Sequence, residues 1–273
     1  MKLTFSSLAC MEASLPQLAD YALGAGYDAL EIRLDKQDNI CGLTPGQLPL
    51  SLLREKGVKI LDLGTGVGLQ DYQPEKIATA KRCAELAAFV GAKGIRLFVG
   101  AHVQTLAETP KQNVEGIIRA VDEIAAHAAP IGVEVWLELH SWFSTGKNMK
   151  LILDGIKEKN VKLIWDVIHS VEFGESPAET MALVGDRIAH VHIKDGRRPA
   201  DPGKFRWELT GHGQGELPTA EVLRLLEAAG YDGYLSLEWE SAWHPELNAV
   251  YEDIPALLKA YNEYMDKEGW YIC

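Results

Sequence analysis

Eight short runs of β-branched and other apolar residues alternate with longer segments of helical periodicity along the chain. The runs are Leu3–Leu8, Ala29–Leu34, Lys59–Leu63, Gly94–Gly100, Val133–His140, Val161–Asp166, Ile188–Lys194 and Tyr234–Trp239. Their starts lie 26 to 46 residues apart, which is close to the size of one strand followed by one helix. A strand that returns through a helix lies parallel to its predecessor, so the alternation predicts an α/β fold with a parallel sheet.

Residue signals at the ends of the intervening segments indicate helices. Ser14 and Gln17 form the pattern of a capping box, and Thr44-Pro45 and Thr109-Pro110 place proline at the first position of a helix. The sequence Ala-Gly-Tyr-Asp precedes both the second and the eighth run, where its glycine is expected to end a helix. The repeated motif is typical of recurring helix-to-strand turns.

The count of strands and helices predicts the architecture. Eight of each are typical of a (β/α)8 TIM barrel with an eight-stranded parallel sheet, and we expect it as a single domain over residues 1–273. No stretch rich in proline, glycine and serine divides the chain. The alternative is an open, doubly wound sheet, which has fewer strands and often a glycine-rich first turn. The segment Phe5-Ser-Ser-Leu-Ala9 is no such turn, and the barrel is favoured.

The charge balance argues against nucleic acid or membrane as a partner. The 273 residues include 27 Lys plus Arg and 39 Asp plus Glu, for a net charge of −12 with histidine neutral. Such a surface repels phosphate backbones and anionic lipids. No signal peptide is expected, and no apolar run approaches the length of a membrane span. Cys10, Cys41, Cys83 and Cys273 form no CxxC pair, so we predict free thiols in a reducing, cytoplasmic location.

Four of the later strands carry an ionisable residue where a buried strand would be apolar. The residues are Glu138 in LELH, Asp166 in WDVIH, His192 in HVHIKD and Glu238 in LSLEWE. A buried carboxylate without a partner costs several kcal/mol. The carboxyl ends of barrel strands converge on one mouth, so we expect the four side chains around one cavity. A divalent cation would relieve their mutual repulsion, and the oxygen-rich set favours Mn²⁺, Mg²⁺ or Co²⁺.

Each of these residues alone could instead cap a helix or pair with a nearby Arg or Lys. Their occurrence at the same position on four strands favours the metal site. The four motifs resemble the metal-site pattern of the xylose-isomerase-like TIM barrels, the sugar phosphate isomerase/epimerase superfamily, and Gly213–Pro218 resembles the GxGxxP loop of that family. The resemblance covers essentially the whole chain. It implies one divalent ion held by the four residues, with Mn²⁺ first and Mg²⁺, Co²⁺ or Zn²⁺ as alternatives.

Five residues near the predicted mouth are candidates for substrate contact: His140, His169, Lys194, Arg197 and Arg198. The family places a substrate-binding histidine in the D-x-x-H position and an arginine at the position of one of the two adjacent arginines, for which a solvated surface role is the alternative. The lysine is either an electrostatic helper or a partner of Asp195. The first histidine shares a strand face with Glu138 and is expected at the rim.

Three further residues are interpreted as structural. Glu31 and Arg33 share a face of the second strand and are expected to form an internal ion pair. His190 lies one layer deeper than His192 on the same strand face, so we expect it behind the metal site or in the core rather than as a ligand.

The chemistry implied by the resemblance is proton transfer next to a carbonyl group. The family's metal polarises the carbonyl, and Glu138 and Glu238 are implied as the acid/base pair that acts through a metal-bound enediolate. We therefore interpret the chain as a metal-dependent isomerase or epimerase of a small sugar or ketose-type polyol. An inosose-type sugar dehydratase is the alternative. An endonuclease IV-like DNA repair enzyme is less favoured, because that group needs further histidines and a D-x-H pair. The partner is expected to be a small sugar, with homo-oligomerisation left open.

Overall fold

Eight parallel strands pair side by side in one curled sheet, and a ninth strand joins its edge in the antiparallel sense. The computed structural model describes residues 1–37, 39–103, 105, 108–201 and 206–270. The strands are β1 (Lys2–Phe5), β2 (Ala29–Lys36), β3 (Asn39–Ile40), β4 (Lys59–Leu69), β5 (Gly94–Val99), β6 (Glu134–Glu138), β7 (Val161–Asp166), β8 (Ile188–Ile193), β9 (Asp195–Arg197), β10 (Glu208–Thr210) and β11 (Tyr234–Leu237). The helices are α1 (Leu15–Gly24), α2 (Leu50–Lys56), α3 (Pro74–Val90), α4 (Val114–Ala128), α5 (Gly146–Leu153), α6 (Val167–Glu172), α7 (Pro177–Val184), α8 (Thr219–Ala228) and α9 (Ile254–Glu268).

The strand order of the main sheet is β1-β11-β8-β7-β6-β5-β4-β2-β3, and β9 and β10 form a separate hairpin. Every neighbouring pair from β1 round to β2 is parallel. The end strands β1 and β2 approach each other through a parallel bridge from Ser6 to Glu31 and a 2.6 Å hydrogen bond from Thr4 Oγ1 to the Ala29 carbonyl. The predicted parallel α/β sheet is confirmed. A regular ladder between β1 and β2, as in an exact closed eight-stranded barrel, is not seen among the described residues.

Each predicted strand start lies within one residue of the first residue of an observed parallel strand. Three short elements were not predicted: β3, the β9–β10 hairpin and α6. The helix start at Thr109-Pro110 is wrong, because α4 begins at Val114. There the Asn113 side chain accepts a 3.1 Å hydrogen bond from the Gly116 amide and caps the helix. Thr44-Pro45 opens a single 3₁₀ turn ahead of α2.

The strand register brings the charged strand ends together. Asp166, the last residue of β7, lies opposite His192 of β8, and His192 lies opposite Ser236 of β11. Glu238 follows two residues after Ser236 and therefore points to the same face of its strand one layer higher. Glu138 ends β6, opposite Ile164 of β7. The register thus places four ionisable side chains at the same end of adjacent strands.

Two further sequence predictions concern the cysteines and the membrane. Cys10 and Cys41 are free thiols, as predicted, and the Cys83 thiol donates a 2.9 Å hydrogen bond to the Gln37 carbonyl, whereas Cys273 lies outside the described residues. No helix in the described ranges is both long enough and apolar enough to cross a bilayer.

Candidate metal centre

Four buried side chains meet at the carboxyl ends of β6, β7, β8 and β11. The four are Glu138, Asp166, His192 and Glu238, and each offers one ligand atom within 4.8 Å of the others. None of these residues is more than 4 % exposed. They are the residues that the strand-end pattern predicts as ligands, and the structure brings all four together.

Several potential ligand atoms in this cluster lack a hydrogen-bond partner. They are Glu138 Oε2, both carboxylate oxygens of Asp166 and His192 Nδ1. Arg96 and Lys194 lie within ion-pair distance of two of the oxygens, but without hydrogen-bond geometry. Buried polar atoms are nearly always satisfied in folded proteins, so unsatisfied lone pairs that converge on one point suit a cation. Three carboxylates and one imidazole fit a divalent ion of the Mn²⁺ or Mg²⁺ type.

A buried arginine joins two of the carboxylates. Arg96 of β5 is 1 % exposed, and its Nη1 lies 3.1 Å from Glu138 Oε2 and 3.4 Å from Glu238 Oε1. The guanidinium packs beside Gly64 of the neighbouring strand, where an added Cβ would be in ordinary van der Waals contact with it, 3.5 Å from Arg96 Nη2. The sequence analysis did not identify Arg96, although a charged residue within the apolar run GIRLFV is the same signal that identified the three carboxylates and the histidine.

Lys194 supplies a second buried cation to the site. Its Nζ lies 2.8 Å from Asp166 Oδ2 and 2.6 Å from Glu238 Oε2, and it also contacts Glu240. The alternative role as partner of Asp195 is wrong, because the Asp195 carboxylate instead accepts hydrogen bonds from backbone amides that include those of Gly213 and Gly215. Asp195 therefore holds the GxGxxP loop, and Lys194 belongs to the carboxylate cluster.

Glu31 lies behind the cluster and does not pair with Arg33. Its Oε2 receives the Nε2 atoms of His190 and His192 at 3.0 Å and 2.9 Å. Arg33 turns to the cavity instead, with its guanidinium 4.9 Å from the centre of the Trp243 ring. The predicted ion pair is therefore wrong, because two histidines on β8 supply the partners of Glu31. The prediction that His190 lies behind the site agrees with its position.

The two central glutamates are in unequal electrostatic surroundings. Burial raises the pKa of Glu138, and the opposing charge of Arg96 does not overcome it. Burial also disfavours the charged form of Glu238, but Lys194 and His192 hold the pKa of Glu238 well below its usual range. Burial raises the pKa of Asp166 as well, against the opposing effects of His169 and Lys194.

An open cleft lies above the cluster in two adjoining parts of about 270 and 310 Å³. Both parts share His102, His140, His169 and Glu240 in their linings. Glu138 and Glu238 form part of the floor of the larger part. A still larger cavity of about 410 Å³ lies between α1 and α9, away from the strand ends. The cleft above the cluster is the candidate substrate site, because several polar side chains, including two of the predicted ligands, converge there.

The predicted histidines lie at this cleft. His169 Nε2 is 3.2 Å from Asp166 Oδ2, and its ring meets that of His140 edge to face at a centroid distance of 4.7 Å. Ser141 adopts a positive φ of 53° in the buried turn after β6. Its hydroxyl contacts the Nδ1 atoms of His140 and His102 at 2.7 Å and 3.0 Å. A strained backbone conformation of this kind is often found at binding sites.

Neither of the two predicted arginines lines the cleft. Arg197 is exposed and donates a 2.7 Å hydrogen bond from Nε to the Gln214 carbonyl, and Arg198 is exposed with its guanidinium 5.7 Å from the Trp207 ring centre. Arg206 lines the cleft, as Arg33 and Arg96 also do, and it donates a 2.9 Å hydrogen bond to Glu172 Oε2. The prediction of Arg197 or Arg198 at the site is corrected to Arg206. The unpredicted β9–β10 hairpin is the reason, because Arg197 pairs there with Glu208 and does not line the cleft.

Comparison with protein families agrees with the resemblance that the strand-end motifs carry. Residues 19–261 match the model of the family described as xylose isomerase-like TIM barrel. An inosose dehydratase from Clostridium perfringens is 24 % identical in an alignment 188 residues long that covers 59 % of this chain. The match spans 63 % of that protein, so the chain covers less than two thirds of the length of this relative.

Solved structures share the fold over nearly the whole chain. The IOLI protein with a binding zinc atom is 21 % identical with a TM-score of 0.74, and the match covers 98 % of both chains. A D-allulose 3-epimerase from Methylomonas sp. is 19 % identical with a TM-score of 0.72, again over 98 % of both chains. At these identities the likeness shows a common fold.

Proposed function

Because the chain belongs to the xylose isomerase-like TIM barrel family, we propose that it is a metal-dependent isomerase or epimerase of a small sugar or ketose-type polyol. One observation carries the proposal. Glu138, Asp166, His192 and Glu238 converge from four strands at the floor of a cleft, with buried ligand atoms that lack hydrogen-bond partners. This arrangement suits one divalent ion, and we rank Mn²⁺ before Mg²⁺, Co²⁺ and Zn²⁺.

The metal and the two glutamates would have different roles in the reaction. A bound divalent cation polarises a substrate carbonyl and makes the neighbouring C–H bond more acidic. Glu138 and Glu238 are the proposed acid/base pair. They lie at the ends of β6 and β11, which are separated by β7 and β8, so their side chains approach the cleft from different sides. One carboxylate removes a proton from the carbon beside the carbonyl, and the other returns a proton to the opposite face or to the next carbon. Arg96 holds both carboxylates in place.

The cleft residues are proposed to bind the hydroxyl groups of the substrate. His140 and His169 line the cleft wall, and Arg206 presents a guanidinium whose orientation is fixed by Glu172. Trp207 adds an apolar face of the kind that packs against a sugar ring. This combination of a few directed polar groups and an apolar wall is typical of small-molecule sites.

Dehydration is a second candidate function for the same site. The relatives of this chain include proteins named inosose dehydratase. The carbanion that proton removal creates can expel a hydroxyl group from the next carbon instead of taking up a proton. His169 lines the cleft wall, and transfer of its Nε2 proton from Asp166 Oδ2, 3.2 Å away, to the departing oxygen would supply the proton that loss of the hydroxyl group needs. The difference between the two functions therefore lies in the fate of one hydroxyl group.

Proton exchange tests both candidates. The protein is stripped with EDTA, reloaded with Mn²⁺ and incubated in D2O with a panel of ketoses and inososes, and the products are followed by NMR. We expect metal-dependent incorporation of deuterium at the carbon beside the carbonyl. An epimer or isomer supports the first candidate, and an unsaturated or deoxy product supports the second. Asp166→Ala, which removes a ligand, is expected to abolish both metal retention and exchange. Turnover with full retention of the original hydrogen would instead indicate a hydride shift.

The remaining predictions of the sequence stand as proposals. We propose a small sugar as the partner, without nucleic acid or membrane, and a cytoplasmic location. Homo-oligomerisation remains open. The apolar tail 269–273 that could form an interface extends beyond residue 270, the last that the structure describes.

A further inference from the structure

Three hydrogen-bond donors converge on one oxygen atom directly behind the candidate metal site. Glu31 Oε2 accepts from His192 Nε2 at 2.9 Å, from His190 Nε2 at 3.0 Å and from Ser236 Oγ at 3.0 Å. Glu31 is 1 % exposed and both histidines are fully buried. Three donors on one buried oxygen are a strong arrangement for a carboxylate, because hydrogen bonds to a charged acceptor are about twice as strong as neutral ones.

We propose that Glu31 is the positioning residue that makes His192 a metal ligand; the proposal rests on the proposed function, since it needs a metal at the four-residue site. A neutral imidazole carries one proton, and the nitrogen without it is the one that can ligate. Glu31 Oε2 can only accept, so it requires the proton of His192 on Nε2. The lone pair is then on Nδ1, which lies 3.4 Å from Glu238 Oε2 and has no hydrogen-bond partner.

The alternative of a second metal site among Glu31, His190 and His192 is disfavoured by the same geometry. The ligand atoms of these three residues also lie within 4.8 Å of one another. However, both Nε2 atoms are at hydrogen-bond distance from one shared oxygen. A metal on His192 Nε2 would require the proton of that ring on Nδ1, and Nδ1 would then be lost to the first site. A neutral His192 ring has only one nitrogen that can bind a metal, so the two sites cannot both use His192 as a ligand.

The neighbours of Glu31 fix its carboxylate in position. The ring of His190 stacks on Trp136 at a centroid distance of 5.7 Å and stands at 90° to the ring of His192. Ser236 lies on β11 opposite His192 of β8, so its hydroxyl reaches the same carboxylate from the next strand. Glu31 is thus held from two strands and can in turn fix the orientation of the His192 ring. Such partners of metal-ligating histidines typically contribute 10- to 100-fold to metal affinity.

A titration of the metal-free protein with Mn²⁺ tests the proposal without any substrate. Binding is followed by the EPR signal of free Mn²⁺ for the wild type, Glu31→Gln, Glu31→Asp and a control. We expect Glu31→Gln to bind roughly 10- to 100-fold more weakly. Glu31→Asp keeps the charge and is expected to lie between the two.

The control is Glu175→Gln. Glu175 is also a buried carboxylate with three donors, from the amides of Gly146 and Lys147 and the hydroxyl of Thr180. It does not belong to the four-residue cluster, so its substitution should leave the affinity for Mn²⁺ within about twofold of the wild type. If Glu31 has a purely structural role, Glu31→Gln and Glu175→Gln should both have lower thermal stability, and neither should have a lower affinity for Mn²⁺.

A measurement on the wild type keeps the test decisive if Glu31→Gln does not fold. Long-range ¹H–¹⁵N correlation spectra of the Zn²⁺-loaded protein report which nitrogen of His192 carries the proton. We expect the proton on Nε2 and the metal on Nδ1. The reverse tautomer, or equal Mn²⁺ affinity of the wild type and Glu31→Gln, would overturn the role of Glu31 alone. Failure of the wild type to bind any divalent ion would overturn the proposed function together with it.

Discussion

Arg96 Nη1 lies 3.1 Å from Glu138 Oε2 in a part of the protein where both side chains are only 2 % exposed. The same nitrogen lies 3.4 Å from Glu238 Oε1, so one guanidinium links the two proposed acid/base residues. Removing one partner of a buried ion pair is strongly destabilising, because it leaves a charge without compensation. Arg96 therefore lets two buried glutamates coexist whether or not a cation is bound.

Replacement of Arg96 should destabilise the metal-free protein more than the metal-loaded one. For Arg96→Met we expect a loss of about 3–5 kcal/mol in the free energy of unfolding in EDTA. A divalent ion compensates the same carboxylates, so saturating Mn²⁺ should recover part of the loss. Urea denaturation in both conditions measures the effect. Arg187→Met is the control, since Arg187 donates to the Val161 carbonyl at the opposite ends of the strands. An equal loss with and without metal would contradict this role of Arg96.

Glutamine at either proposed acid/base position should separate turnover from metal binding. Glu138→Gln and Glu238→Gln keep the shape and one ligand oxygen of each side chain but remove its ability to transfer a proton. We expect turnover to fall by roughly 10²- to 10⁴-fold, and metal content measured on the same samples to fall far less. Glu175→Gln again controls for the loss of a buried carboxylate. A parallel fall of turnover and metal content would reduce both residues to ligands.

Arg206 rather than Arg197 should contribute to substrate affinity. Arg206 lines the cleft and is held by Glu172, whereas Arg197 is exposed and bonded to the Gln214 carbonyl. Hydrogen bonds from a charged group contribute about 1.5–3 kcal/mol, so Arg206→Ala should raise KM by roughly 10- to 100-fold. Arg197→Ala is the matched control and should leave KM unchanged. Steady-state kinetics on the substrate found by the exchange assay decide between them, and an effect of Arg197→Ala alone would restore the sequence prediction.

The sequence predicted the strands well, because each buried parallel strand is a short apolar run between helical segments. It did not predict β3 or the β9–β10 hairpin. These pairs are two or three residues long, so their periodicity is too short to recognise, and their pairing depends on contacts made by the folded chain.

The site was predicted to the extent that its residues interrupt apolar strands. Glu138 and Asp166 carry that signal, and Arg96 carries it equally, so the same rule applied to every strand would have found all three. Arg206 carries no such signal. It lies 14 residues after His192 in the chain and reaches the cleft through its ion pair with Glu172, a contact that sequence spacing does not reveal.

The protein should not act on DNA. Its net charge is −12, and the segment Thr210-Gly-His212 stands where the endonuclease IV group has a D-x-H pair. Salt-dependent attraction to phosphates supplies most of the non-specific affinity for DNA, and an acidic surface opposes it. We expect no incision of a duplex with an abasic site and fewer than three zinc ions per chain by elemental analysis. Incision at enzymatic rates that EDTA abolishes would contradict the sugar assignment.

His212, which is not one of the proposed metal ligands, should make the fold sensitive to acid. Its ring stacks at 23° on both Tyr251 and Tyr264, and neither ring nitrogen has a hydrogen-bond partner. Burial without a partner lowers the pKa of His212 to about 3. The neutral ring is therefore favoured in the folded state, while the unfolded chain takes up a proton near pH 6.5. The contribution of His212 to the free energy of unfolding is therefore fully present above pH 6.5 and is lost progressively as the pH falls toward 3.

Replacement of His212 by phenylalanine should remove this part of the acid sensitivity. Phenylalanine keeps an aromatic ring between the two tyrosines and takes up no proton. From pH 7 to pH 5 the wild type should lose about 2 kcal/mol more unfolding free energy than His212→Phe, because one pKa unit corresponds to about 1.4 kcal/mol. Urea denaturation at the two pH values gives the difference, and it is measured in EDTA so that metal release does not contribute. His127→Phe, on the outer face of α4 beside Glu85, controls for the loss of a histidine. An equal loss of unfolding free energy from pH 7 to pH 5 in the wild type and His212→Phe would contradict this role of His212.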